Sequence, residues 1–255
     1  EREREREREN GIPIQDPRKI KGHEDWAIIW DKMCMTPTYK ELAKHSEIDT
    51  CLDKKHIPKS PNKRFPQLIG PFGGHTYYEQ GLSEFSKTAF KSQKAFDKAL
   101  LSMCRLLKGV CLGIRELRAH KLVHGDISVR NVLVKEDKSY LIDFGLAKGV
   151  DAGRGTSLSG GNHTPGWAPP ERENGVTGPT TDVYSLGQLL WHLLTNERPG
   201  VVSEEYRLEK MEEAGHPEWL GEMVNFSTVP HSPLERIQSA SEFRIRLENQ
   251  GELHE

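Results

Sequence analysis

Apolar residues recur at helical intervals through residues 96–120, the longest periodic stretch of the chain. They fall every three or four positions, which is the spacing of the buried face of an α-helix. The positions are Leu100, Leu101, Cys104, Leu107, Val110, Cys111, Ile114 and Leu117. The pattern predicts one long helix whose apolar stripe lies in a core and which leads directly to His124.

A hairpin pattern follows this helix. Residues 132–134 and 140–142 are apolar runs, and residues 135–139 between them are polar. Two short apolar runs around a polar turn predict two antiparallel strands. Such a hairpin brings Asn131, before its first strand, and Asp143, after its second strand, to the same end.

The first third of the chain carries weaker patterns. The apolar run at residues 26–30 predicts a strand, and the mostly polar residues 38–52 predict a helix. Residues 65–69 and 75–79 predict two further strands around a Gly-Pro-Phe-Gly-Gly turn. Residues 1–9 alternate Glu and Arg and offer nothing apolar to bury, so they predict a solvated tail, helical or disordered.

The composition limits the partners and the setting. The chain has 255 residues and a formal net charge of −2, which gives no electrostatic reason to expect a nucleic-acid partner. No apolar run in the sequence reaches membrane-spanning length. The four cysteines form no C-x-x-C pair and no zinc-like cluster, which favours a reducing, intracellular and cytoplasmic setting. Nothing in the sequence indicates an oligomeric state.

Three residues near the hairpin carry the candidate chemistry. Asn131 lies five residues after Asp126, and Asp143 follows twelve residues later. If the hairpin forms, the oxygen atoms of Asn131 and Asp143 can converge on one divalent ion, and such ligands suit Mg²⁺. Asp126 is then placed to accept a proton from a substrate hydroxyl. The alternative is an ordinary hairpin with exposed acids, but two motifs in order and at this spacing argue against it.

This stretch resembles the catalytic and metal-binding loops of the eukaryotic protein kinase family. His124-Gly125-Asp126 stands where the family has H-R-D, so the chain resembles the non-RD members with an H-G-D loop. Asn131 matches the asparagine of the catalytic loop, and Asp143-Phe144-Gly145 matches D-F-G. The resemblance implies ATP and Mg²⁺ as cofactors, with Asp126 as the base and with Asn131 and Asp143 as metal ligands.

Three later segments extend the resemblance. Residues 164–171 are similar to the family's T-P-x-Y/W-x-A-P-E, and residues 182–187 are similar to D-V-W/Y-S-x-G. By resemblance, Asp182 anchors the backbone of the catalytic loop. Residues 233–236 resemble P-x-x-R, whose arginine, Arg236, is implied to pair with Glu171.

The resemblance weakens toward the N-terminus, where no G-x-G phosphate loop occurs. Lys32 stands at the position of the family's ATP-contacting lysine, and a surface lysine at a strand end is the alternative interpretation. Its implied partner is Glu47, with Glu41 as the other candidate. The resemblance assigns cofactor binding to Lys32, Glu47, Tyr78, Glu79, Gly81, Leu133 and Asp143, and catalysis to Asp126, Asn131, Lys32 and Arg130.

The implied fold class is α+β, a protein-kinase-like two-lobed fold with a reduced N-lobe. The expected division is a charged tail at residues 1–10, the N-lobe at 11–80 and the C-lobe at 81–255. The expected function is that of a protein kinase acting on a protein substrate. The alternatives are a pseudokinase that binds partners without turnover, and a small-molecule phosphotransferase of the aminoglycoside-kinase type, which also carries H-G-D.

Signals for the acceptor and for regulation follow from single residues. Arg130 and Trp167 resemble the choices of tyrosine kinases, whereas Thr164 resembles that of serine/threonine kinases, because its hydroxyl can bond the catalytic aspartate. We favour a Ser/Thr acceptor.

Gly125 brings no charge that a loop phosphate must neutralise, so we expect activity without activation-loop phosphorylation. The alternative is that Arg130 or Lys148 takes the anion-binding role.

Overall fold

The computed structural model describes residues 21–22, 25, 27, 91–135, 138–150 and 163–250, together with the backbone of four short strands at 32–35, 66–69, 75–76 and 156–157. The chain divides into two compact units, residues 28–72 and residues 1–27 with 73–255. The tail expected at residues 1–9 and the helix expected at 38–52 lie outside the described residues.

In the smaller unit, strand β1 (Lys32–Met35) pairs antiparallel with strand β2 (Pro66–Ile69). Lys32 begins β1, opposite Ile69, whereas the sequence placed it after a strand at residues 26–30. Of those five residues only Ala27 is described, and it forms an isolated parallel bridge with Leu141. β1 is defined by its pairing with β2. The rest of the strand expected at residues 26–30 lies outside the described residues.

The described part of the larger unit includes strand β3 (His75–Thr76), helix α1 (Gln93–Ala119) and strand β4 (Leu122–Val123). All residues of the predicted stripe except Leu101 are buried in α1. The helix begins three residues before its predicted start, because Ser92 caps it: the Ser92 hydroxyl oxygen accepts the Ala95 N–H at 3.3 Å. The residues before Phe96 in the helix are Gln93, Lys94 and Ala95, which add no large apolar position to the periodic pattern.

The predicted hairpin is present as strands β5 (Val132–Lys135) and β6 (Lys138–Leu141). They pair antiparallel, with Val132 opposite Leu141, and β3 pairs with the other edge of β5. The two strands expected around the Gly-Pro-Phe-Gly-Gly turn therefore belong to different sheets, since β2 pairs with β1 and β3 pairs with β5. Local turn residues mark a change of direction, but they do not decide the strand partner.

The rest of the unit is mainly helical. Strand β7 (Lys148–Gly149) pairs with β4, and strand β8 (Thr156–Ser157) pairs with strand β9 (Val176–Thr177). Helices α2 (Thr181–Thr195), α3 (Glu204–Glu213), α4 (Glu218–Ser227) and α5 (Ala240–Gln250) follow. Short 3₁₀ turns lie at Phe144–Leu146 and Pro170–Arg172.

The core lies between these helices and the hairpin. Helix α1 packs against α5 and β6, and α2 packs against α4. Helix α2 is buried along almost its whole length, so it forms the centre of the unit. This arrangement of helices and small sheets is of the mixed α+β class that the sequence implied.

Cys104 and Cys111 are buried free thiols on α1, as the sequence predicted. Burial raises the pKa of each to about 12, which keeps both thiols protonated and unreactive at neutral pH. Among the described residues, no helix combines the length and the apolar character needed to span a bilayer.

Candidate active site

The hairpin brings Asn131 and Asp143 to one end. Asn131 directly precedes β5, and Asp143 lies two residues beyond β6. The Ile142 N–H donates to the Asn131 main-chain oxygen at 3.0 Å, which continues the pairing past the last residue of the strand. The relation between the two residues is therefore fixed by antiparallel pairing, as the apolar pattern indicated.

Asp126 is half-buried and held at both carboxylate oxygens. Oδ2 accepts the Asn131 side-chain N–H at 2.8 Å, and the same Asn131 Nδ2 donates to the Asp126 main-chain oxygen at 2.7 Å. Oδ1 accepts the Thr164 hydroxyl at 2.6 Å and the Thr164 N–H at 3.1 Å. Donors from two separate segments thus orient one carboxylate, while part of it remains open to solvent.

His124 links the catalytic loop to the segment around Asp143. Its Nδ1 accepts the Asp126 N–H at 3.3 Å, so the ring proton lies on Nε2, which donates to the Ile142 main-chain oxygen at 3.0 Å. The ring also contacts Phe144, with 4.9 Å between the ring centroids. The buried His124 ring therefore holds the backbone at Ile142 and the backbone at Asp126 at the same time.

Asp182 anchors the catalytic loop from the start of α2. Its carboxylate accepts the His124 N–H at 2.8 Å and the Gly125 N–H at 2.9 Å. Burial raises the pKa of Asp182, because desolvation outweighs the opposing effects of His124, these two N–H donors and Arg172. The resemblance had implied this anchoring, and the structure places both donors within hydrogen-bond distance.

Gly125 has a local reason to be glycine. Its φ of +78° lies in the left-handed region, and a Cβ there would lie 3.1 Å from the Leu146 main-chain oxygen. Sequence reasoning missed the side chain that faces it, the buried Arg172. Arg172 directly follows Glu171 in the sequence, and this adjacency was the only available signal.

The segment that carries Thr164 is also fixed. Gly166 has a φ of +84°, and a Cβ there would overlap the Pro199 main-chain oxygen, so no other residue fits without movement. The buried Trp167 packs edge-on against His192, with 5.6 Å between the ring centroids. These contacts hold the Thr164 hydroxyl on Asp126.

The implied pair of Glu171 and Arg236 is present. Arg236 Nη2 donates to Glu171 Oε2 at 2.8 Å, and Nη1 donates to Oε1 at 2.5 Å. The Arg236 side chain is fully buried and also donates to the main-chain oxygens of Val229 and Pro230. The ion pair joins the end of the Thr164 segment to the chain before α5.

The donor set at the hairpin end suits a hard divalent cation. The Asn131 side-chain N–H faces Asp126, which leaves its amide oxygen for a metal, and the Asp143 carboxylate is exposed. Two protein oxygens are typical of Mg²⁺, which keeps water and phosphate oxygens as its other ligands. Among the described residues, no group of three His, Cys, Asp or Glu forms a metal cluster. Asn131 and Asp143 could therefore supply two of the oxygen ligands of a divalent cation.

The other site residues named from the sequence vary in how far they are described. Arg130 is exposed beside Asn131, and Leu133 is half-buried in β5. Lys32 is described as the first backbone position of β1. The roles of these three stay predictions. Four more, Glu47, Tyr78, Glu79 and Gly81, lie outside the described residues.

Comparison with known proteins gives one family and several relatives. Residues 33–220 match the family described as protein tyrosine and serine/threonine kinase. The chain is 38% identical over 97 residues to the serine/threonine-protein kinase AfsK of Streptomyces coelicolor, which covers 37% of this chain and 12% of that protein.

Two further relatives are named as tyrosine kinases. The chain is 38% identical over 106 residues to the megakaryocyte-associated tyrosine-protein kinase of Mus musculus, which covers 40% of this chain and 20% of that protein. It is 34% identical over 158 residues to the tyrosine-protein kinase Btk of Drosophila melanogaster, which covers 59% of this chain and 20% of that protein. The chain thus spans a fifth or less of the length of these three relatives.

Proposed function

Because the chain belongs to the family of protein tyrosine and serine/threonine kinases, we propose that it transfers the γ-phosphoryl group of ATP to a hydroxyl group of a protein substrate. One observation carries the proposal: Asn131 and Thr164 hold the Asp126 carboxylate from both sides, at 2.8 Å and 2.6 Å. These donors orient the carboxylate and leave Asp126 half-buried, so it stays accessible to a substrate hydroxyl. Transfer of labelled phosphate from ATP to a mixed peptide library tests the proposal.

In this mechanism Asp126 binds the substrate hydroxyl and orients its oxygen toward the γ-phosphorus. As the new P–O bond forms and the bond to the leaving ADP breaks, the hydroxyl proton passes to Asp126. Asn131 and Asp143 would hold Mg²⁺, which when bound neutralises charge on the phosphates. Lys32 is proposed to add a further positive charge at the phosphates. Most of the rate then comes from charges that are already in place before reaction.

Lys32→Met tests the lysine assignment. We expect phosphoryl transfer to be abolished while the protein stays folded, because methionine keeps the length of the side chain and removes its charge. Transfer assays and circular dichroism of the same preparation measure both properties. An active Lys32→Met protein would show that another residue, for example Lys19 or Lys21, contacts the phosphates, or that no lysine is needed.

The proposed acceptor is serine or threonine, supported by the hydrogen bond from the Thr164 hydroxyl to Asp126. Arg130 and Trp167 remain the opposing signals. We expect phosphoamino-acid analysis of the labelled peptide library to give phosphoserine and phosphothreonine. A product containing only phosphotyrosine would contradict this assignment and leave the phosphotransferase proposal intact.

Activity is proposed to be independent of activation-loop phosphorylation, because Gly125 carries no cation that requires an added anion. Simultaneous replacement of Thr156, Ser157 and Ser159 by alanine is expected to leave the transfer rate close to that of wild type, because on this account no loop phosphate takes part in ordering the site. Loss of most activity in folded protein, with recovery on acidic replacement, would show that loop phosphorylation matters and that the inference from Gly125 is wrong.

A further inference from the structure

Arg172 is a buried cation that joins two parts of the site. Only 3% of it is exposed, and it ends the 3₁₀ turn that begins at Pro170. Its Nη1 donates to the Thr177 hydroxyl at 2.6 Å, and its Nη2 donates to the Gly125 main-chain oxygen at 3.4 Å. One guanidinium thus connects the segment after Glu171 with the residue before Asp126.

The contact concerns one peptide group, the one between Gly125 and Asp126. Its carbonyl oxygen accepts from Arg172, and its N–H donates to His124 Nδ1 at 3.3 Å. The preceding N–H, that of Gly125, donates to Asp182 at 2.9 Å. Because both polar atoms of this peptide group have buried partners, its plane is fixed, and this plane sets the direction in which the Asp126 side chain leaves the backbone.

The lack of a side chain at Gly125 makes room for this arrangement. A Cβ at Gly125 would lie 3.6 Å from Arg172 Nη2, so the guanidinium lies on the side where a side chain at position 125 would begin. The cation beside the catalytic loop therefore comes from a residue 47 positions later in the chain.

Two acids of the site favour the charged form of Arg172. Burial lowers the pKa of Arg172, and the carboxylates of Asp182 and Asp126 oppose this shift. A buried charge with hydrogen-bonded partners of this kind is costly to disrupt.

We propose that Arg172 is a positioning residue, which fixes the Gly125–Asp126 peptide group and thereby aims the Asp126 carboxylate at the substrate hydroxyl. The kinetic part of this inference rests on the proposed kinase function, and the conformational part does not. On this view the cation that orders the catalytic loop is built into the fold, so ordering does not depend on a modification of the chain.

The chain offers a matched control in Arg207. It is also 3% exposed, and its Nη2 donates to the Gly200 main-chain oxygen at 3.3 Å. Burial lowers the pKa of Arg207 as well. Arg172→Met and Arg207→Met therefore remove equally buried guanidinium groups that differ in the peptide group they hold.

Hydrogen–deuterium exchange of the full chain tests the conformational part. In Arg172→Met we expect exchange at residues 124–126 to accelerate by about tenfold or more. The Gly125 main-chain oxygen then loses its hydrogen bond from Arg172, so the loop opens locally more often. In Arg207→Met the faster exchange is expected around Gly200 instead. If Arg172→Met leaves exchange at 124–126 unchanged, or if both variants accelerate it equally, the proposal is wrong. This readout does not require the protein to be an active kinase.

Kinetics test the positioning role in a protein that transfers phosphate. Arg172→Met is expected to lower kcat by roughly 10- to 100-fold while the KM for ATP changes by less than about threefold, because misplacement of a reacting group affects the chemical step. Arg172→Lys keeps the charge and one donor, so it is expected to recover part of the loss. Equal losses in Arg172→Met and Arg207→Met, or a loss confined to the KM for ATP, would contradict the role.

Should Arg172→Met not fold, Thr177→Val supplies a second test. It removes the hydroxyl that holds Nη1 and leaves the guanidinium in place. We expect a smaller acceleration of exchange at residues 124–126 in the same direction. Unchanged exchange in Thr177→Val, together with unchanged exchange in Arg172→Lys, would overturn the proposal.

Discussion

Asp126→Ala is expected to lower the rate of phosphoryl transfer by about 10²- to 10⁴-fold, the usual contribution of a general base. The substitution removes the carboxylate that Asn131 and Thr164 orient, so no group remains in place to bind the substrate hydroxyl and take its proton. Steady-state transfer to the best peptide of the library measures the loss.

Two controls separate the chemistry from the fold. Glu173→Ala removes an exposed acid that has no part in the proposed chemistry, and its rate is expected to match that of wild type. Thermal unfolding of Asp126→Ala shows whether its fold is retained. An Asp126→Ala protein that keeps more than about a tenth of the wild-type rate would exclude Asp126 as the base, since a base contributes at least 10²-fold.

Glu171→Ala is expected to reduce the free energy of unfolding by roughly 3–5 kcal/mol, the usual cost of leaving a buried charge without its partner. Arg236 is fully buried, and Glu171 is 18% exposed, so water can compensate little of the loss. The guanidinium also lies 4.9 Å from the centre of the Tyr184 ring, which it cannot leave without opening the core around α2.

Urea unfolding measures this effect. The control is Glu173→Ala, which removes an exposed acid, and its free energy of unfolding is expected to lie within about 0.5 kcal/mol of wild type. The double variant Glu171→Ala with Arg236→Met is expected to be more stable than Glu171→Ala alone, because it no longer buries an uncompensated cation. Equal free energies of unfolding for Glu171→Ala and Glu173→Ala would show that the ion pair of Glu171 and Arg236 does not stabilise the fold.

The centre of the site follows from local sequence patterns. Two patterns predict its elements: the helical period of residues 100–117 and the apolar runs on either side of residues 135–139. Each pattern depends only on residues that are close together in the sequence. Once the hairpin is predicted, antiparallel pairing alone brings Asn131 and Asp143 to one end. The spacing of Asp126 then supplies the third residue.

The remaining contacts depend on pairs that are distant in the sequence. Arg172 holds Gly125 across 47 positions, and no periodicity indicates which buried arginine meets which carbonyl oxygen. The same holds for the close approach of Gly166 to Pro199 and for the pairing of β2 and β3 in different sheets. These contacts depend on packing in the folded chain, which single-residue preferences do not specify.

The most direct test of the proposed function is Mg²⁺-dependent transfer of labelled phosphate from ATP to a mixed peptide library, compared between wild type and Asp143→Asn. The substitution preserves the shape of the side chain and removes the charge that would hold the metal. We predict that the wild-type protein phosphorylates peptides and that Asp143→Asn does not. A wild-type protein that binds ATP but transfers no phosphate with any divalent ion would contradict the proposed kinase activity and favour a pseudokinase.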